Sequence, residues 1–103
     1  MKKTFQLIHP KIKPARLIEA VRRDVKKYIK REKRKSLPEG VDYWDFDCKY
    51  GPTEAKAEII LTSEISKCIS EAEAENLESF YLEILAKPGH KKNPKTFETL
   101  DKN

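Results

Sequence analysis

Apolar residues along this chain recur with two different periods, and the switches between them mark the elements. In residues 3–8, KTFQLI, Phe5 and Leu7 alternate with Thr4 and Gln6, the period of two expected of a half-buried strand. His9-Pro10 closes that run, because proline cannot donate to a strand ladder. From Ala15 the apolar positions are Leu17, Ile18, Val21, Val25, Tyr28 and Ile29, a three-and-four spacing that predicts one amphipathic helix over about 15–35. Pro14 suits its first turn, and Pro38 and Gly40 end it. In VDYWDFDCKY (41–50), Trp44, Phe46, Cys48 and Tyr50 point one way and Tyr43, Asp45, Asp47 and Lys49 the other. Gly51-Pro52-Thr53 is turn chemistry, and a third strand is expected at about 55–61 with Ala55, Ala57, Ile59 and Leu61 on one side. Thr62 or Ser63 then caps a second helix carrying Ile65, Cys68, Ile69 and Ala72, with Asn76 as its C-terminal stop. The last strand, 79–87, alternates Phe80, Leu82, Ile84 and Ala86 with Tyr81, Glu83 and Leu85. Periodicity stops at Pro88, so residues 1–87 read as one α+β domain and 88–103 as a flexible basic C-terminal tail.

Strand, helix, strand, strand, helix, strand is the order of two split β-α-β units. With right-handed crossovers it predicts a ferredoxin-like fold, a four-stranded antiparallel sheet with both helices on one face. The inward set would be Phe5, Leu7, Trp44, Phe46, Cys48, Ile59, Leu61, Phe80, Leu82 and Ile84. The open face would carry Gln6, Tyr43, Asp45, Asp47, Glu58, Ile60, Tyr81, Glu83 and Leu85.

Composition adds constraints. A chain of 103 residues is one domain's worth, and at 38% charged it exceeds the usual proportion. Apolar runs such as Ile59-Ile60-Leu61 are too short to span a bilayer, and MKKTFQLIHPKIKP has no apolar signal core, so a cytoplasmic protein without membrane partners is expected. Cys48 and Cys68 do not make a disulfide framework and read as reduced core thiols. The net charge of +5 hides a strong asymmetry. Residues 11–35 hold twelve Lys/Arg against Glu19, Asp24 and Glu32, whereas residues 36–86 hold three lysines against twelve acids. Positive potential is thus concentrated on the first helix and its end.

That helix is the leading candidate site. Phosphate backbones are bound by Lys and Arg gathered on one surface, because each neutralised phosphate releases counterions. The candidate contacts are Arg22, Arg23, Lys26, Lys27, Lys30, Arg31, Lys33, Arg34 and Lys35, with Lys87, His90, Lys91 and Lys92 as an extension. The plainer reading is a solvated face whose cations offset the helix dipole and whose field the acidic second helix (Glu71, Glu73, Glu75) partly cancels. An acidic protein partner would use the same surface. Asp45 and Asp47, with Asp42 close by and Glu58 and Glu83 across, could hold a hard cation or do acid–base work, but on an open face they would be solvated and ordinary. Tyr43 and Tyr81 are too few, and too close to carboxylates, to stack RNA bases as RNA recognition domains of this topology do. Tyr43, Ile60, Tyr81 and Leu85 instead suggest an apolar interaction face. Cys48, Cys68, His9 and His90 lack metal spacing, and a Cys48–His90 nucleophile pair is a remote alternative. Gly40, Gly51 and Gly89 are separate turn residues, so no glycine loop cradles phosphate. No cofactor or metal is expected.

The strings KKTFQLIHPKIKPARLIEAV, LPEGVDYWDFDCKYG and ESFYLEILAKPGHK resemble a family of small bacterial proteins of unknown function, over about residues 2–92. The resemblance implies a bacterial, cytoplasmic, single-domain protein and supplies no activity, cofactor or site residues. From the residues themselves, the expected function is a small non-enzymatic accessory protein that binds RNA, DNA or a ribonucleoprotein through the first helix. The alternative is an interaction or homodimerisation module using the open sheet face or an exposed edge at residues 79–87.

Overall fold

Phe80 stacks on Phe5 with ring centroids 5.5 Å apart, and the tilted ring of Tyr50 lies 5.6 Å from Phe80 on its other flank. These three rings come from three strands of one sheet in the computed structural model, which describes residues 1–91. The elements run β1 (Lys2–Gln6), α1 (Pro14–Lys33), β2 (Tyr43–Gly51), β3 (Glu58–Ile60), a single 3-10 turn (Thr62–Glu64), α2 (Ile65–Ala74) and β4 (Ser79–Gly89). Every pairing is antiparallel, and the strands lie in the order β1-β4-β2-β3. The molecule is therefore α+β, with a four-stranded antiparallel sheet and two helices.

The strand order departs from the ferredoxin-like one, which centres on the first and third strands. Here β4 and β2 take the centre, although each β-α-β unit is still split by one intervening strand. Composition accounts for the sorting. β4 brings Phe80, Leu82 and Ile84, each at 0% exposure, whereas β1 carries Lys2 and Lys3 and β3 is three residues long. Charged and short strands suit edges, and the most apolar strand suits the middle. The expectation of an exposed edge at 79–87 is thereby corrected: Ser79–Glu83 is flanked by β1 on one side, and Tyr81–Gly89 by β2 on the other.

β4 also runs two residues beyond the expected boundary, with Pro88 opposite Trp44 and Gly89 opposite Tyr43. β1 reaches only as far as Glu83, so Pro88 lies where β4 has no neighbour on that side among the described residues and a missing N–H is tolerated. Residues 92–103, most of the expected tail, lie outside the described residues.

One core joins Ile18, Val21 and Val25 of α1, Ile65, Ile69 and Ala72 of α2, and Phe46, Cys48, Phe80, Leu82 and Ile84 of the sheet. Both helices thus cover one face. Asn76 follows α2 with φ 54, the left-handed stop its sequence position suggested, and the Leu77 N–H reaches back to the Ala72 carbonyl at 3.1 Å. At the far end of α1 the Trp44 indole N–H donates to the Lys35 carbonyl at 2.9 Å, tying the helix terminus to β2.

The face assignment of β3 is the second correction. Ile60, opposite Cys48, is half-buried against the core, while Ile59 and Leu61 are 82% and 67% exposed on the open side. Three consecutive apolar residues do not say which of them points inward. The pairing with β2 decides it.

Candidate nucleic-acid interface

α1 forms because its apolar residues repeat at helical spacing, and the same repeat determines where its cations go. With Ile18, Val21 and Val25 buried beneath it, the solvent side presents Arg23, Lys26, Lys27, Lys30, Lys33 and Arg34, all exposed. Arg23, Lys27, Lys30 and Arg34 stand at i, i+4, i+7 and i+11, a single row about 16 Å long at 1.5 Å per residue. Exposed Arg16, seven residues before Arg23, continues this row toward the N-terminus. It was missed from the sequence because it lies outside the densest charge run, yet its spacing marks it.

Carboxylates do not lock this row. Among the described residues the ion pairs are Lys35–Glu32 at 2.8 Å and Lys87–Asp47 at 2.6 Å. Among the described residues, Glu19 and Asp24 are exposed on α1 without a cation at ion-pair distance, and the glutamates of α2 likewise pair with none of the α1 cations. The row is therefore not tied up in ion pairs among the described residues, with Glu19 and Asp24 as the carboxylates beside it. Lys30, Arg31 and Lys33 also fall in the last turn of α1, where they complement the negative end of its dipole.

Three of the nine expected contacts have structural employment. The Arg22 guanidinium donates to Ser66 Oγ at 2.7 Å and to Ser70 Oγ at 2.6 Å, clamping α1 to α2. These serines, four apart on one helix flank, were not foreseen as partners. Arg31 lies over the Tyr28 ring, 5.6 Å from its centroid. Lys35 is held by Glu32, which is nearly buried. Beside Arg22 a shallow groove of 290 Å³ runs between the helices, floored by Val25, Ile29, Ile65 and Ile69.

Of the expected C-terminal extension, Lys87 is not brought to the helix. Lys87 faces the open side of the sheet, opposite the helix layer, and is bound to Asp47. That hydrogen bond is the main reason its ammonium pKa is raised above the ordinary value. Lys92 lies outside the described residues.

The acidic cluster disperses in the same way. Asp47 is taken by Lys87, Asp45 accepts the N–H of its neighbour Phe46 at 2.8 Å, and Asp42 accepts the Lys91 N–H at 2.8 Å. Glu83 accepts the Tyr81 hydroxyl at 2.8 Å. Among the described residues no group of three His, Cys, Asp or Glu side chains is placed to hold a metal ion. Cys48 and Cys68 are free and buried, and burial is the largest cause of the upward shift of both thiols. His90 stands six residues beyond Ile84, the strand partner of Cys48, which is about 20 Å along the sheet at 3.3 Å per residue. A Cys48–His90 pair is therefore excluded by distance.

The expected apolar face is corrected at two positions. Ile60 points inward, and Tyr81 is only 4% exposed. A Cβ placed on Gly51, the β2 partner of Tyr81, would lie 2.6 Å from the Ala57 Cα, so the 52–57 turn comes over the sheet at this point. Tyr43 and Leu85 remain exposed, and the Tyr43 ring occupies the space a Gly89 side chain would fill.

The model of a family of unknown function matches residues 1–95. The chain belongs to that family, DUF6172. The match spans every described element of this DUF6172 protein, from β1 to β4, so the helix bearing the cations lies within it. No curated protein and no solved structure matches the chain. No helix among the described residues is long and apolar enough to cross a membrane.

Proposed function

We propose that this protein is a small, non-enzymatic, cytoplasmic accessory protein, bacterial in origin, that binds the phosphate backbone of RNA, or of a ribonucleoprotein, through the outer face of α1. The observation that carries the reading is the row Arg23, Lys27, Lys30 and Arg34, exposed and without carboxylate partners among the described residues. Its cations recur about every 5.5 Å along the helix, so several can be brought to one phosphate backbone at a time. Lys26 and Lys33 flank the row. Each side chain acts as a separate point charge, so binding is strong in charge and poor in sequence readout.

The open face of the sheet is a poor alternative for nucleic acid. Asp45, Asp47 and Glu83 stand among its lysines, and Tyr81 is too buried to stack a base. The test is a titration of fluorescent RNA of mixed sequence across salt. Five or six phosphate contacts predict a loss of about 100-fold or more between 50 and 200 mM salt, the same for unrelated sequences. Affinity indifferent to salt over that range would remove the mechanism.

A further inference from the structure

We infer that this chain pairs with a second copy of itself along the outer edge of β3, joining two four-stranded sheets into one. β3 is the terminal strand of the sheet and, among the described residues, has no neighbour on its outer side. Its open-face residue Ile59 is 82% exposed, and Leu61, two positions on and on the same face, is 67% exposed. Leu85, 37% exposed on the same face, lies on β4 two strands in from this edge and is outside the pairing surface. Exposed edges are ordinarily blunted by lysine, proline or a bulge, and large apolar side chains at such an edge mark a pairing surface. The other sheet edge illustrates the contrast, since β1 carries Lys2 and Lys3.

The occupant follows from the sequence of the edge. The Leu61 N–H is already taken by Glu64 Oε1 at 2.8 Å, so pairing runs through Glu58–Ile60. Antiparallel pairing about a two-fold axis perpendicular to the sheet puts each residue opposite its symmetry mate's counterpart on the same face. A register centred on Glu58 would oppose two glutamates and is disfavoured. The register centred on Ile59 sets Ile59 against Ile59 of the second copy, with Leu61 diagonal to it and Glu58 opposite Ile60. No like charges meet, and the exposed isoleucine and leucine of both copies cover one another. The same axis keeps the two helix layers on one side of the joined sheet, so both basic helices face the same way. Three residues per strand make a small interface, and the dimer is reversible.

Sedimentation equilibrium of the full chain over a concentration series tests this. Wild type is expected to shift from 12.0 kDa toward twice that mass as concentration rises. Ile59→Asp, at a site too exposed to affect the fold, is expected to weaken the association by at least about 30-fold, as a central interface residue does. Leu85→Asp is expected to leave it unchanged. A 12.0 kDa species at every concentration, a dimer that survives Ile59→Asp, or one lost through Leu85→Asp would each overturn the inference.

Discussion

Arg22 sits in the middle of the basic helix, yet its guanidinium is spent on Ser66 and Ser70 of α2. Arg22→Ala should therefore lower stability by about 1 kcal/mol, the usual size for losing hydrogen bonds of a partly exposed charged group. Urea unfolding measures that loss, and the salt slope of RNA binding should be unchanged. Arg23→Ala should do the reverse, leaving stability within about 0.5 kcal/mol of wild type and removing roughly one phosphate contact. A second residue-scale effect comes from two tyrosines. Burial pushes Tyr50 up to about 12, and burial with the hydrogen bond to Glu83 pushes Tyr81 up to about 12, from an ordinary value of 10. Above pH 10 the unfolded chain releases these protons while the folded chain keeps them, so stability is full below pH 10 and falls toward pH 12. Denaturant midpoints at pH 9 and pH 11 should show the drop, and Tyr81→Phe should make it shallower.

At the scale of elements, period and charge were legible and neighbourhood was not. The three-and-four spacing of Leu17 to Ile29 located α1, its buried side and hence its cationic side, because one repeat sets all three. Alternation likewise located β2 and β4. It could not rank them in the sheet, because a period of two records which face is buried and not which strand lies alongside. β3 failed for a related reason: in Ile59-Ile60-Leu61 either alternation is apolar, and only the pairing of Ile60 with Cys48 selects one. Tyr81 keeps its expected face, but its burial was not legible because its cover, the 52–57 turn, is distant in sequence. The corrected register has a direct consequence. Ile60→Ala should cost about 1–2 kcal/mol, part of the usual loss for a buried isoleucine, and Ile59→Ala should stay within about 0.5 kcal/mol. Thermal unfolding of the pair distinguishes the two faces, provided both are compared at a concentration where the chain is monomeric.

For the molecule as a whole, the two sides of the sheet divide the chemistry. One side is a helix layer whose outer row of cations is left to solvent. The other mixes Lys2, Lys49 and Lys87 with Asp45, Asp47 and Glu83, so much of its charge is compensated. A net charge of +5 would attract any polyanion weakly, and the account makes the stronger claim that position decides. Two variants of equal net charge separate these. One replaces Arg23, Lys27, Lys30 and Arg34 by glutamine, and the other likewise replaces Lys2, Lys49, Lys56 and Lys87 on the open side of the sheet. The most direct measurement is the slope of log affinity for RNA against log salt in both. The account predicts that the helix variant loses about 3 of that slope, at roughly 0.7–0.9 per phosphate contact, while the sheet variant keeps it. Equal losses in the two variants would contradict it.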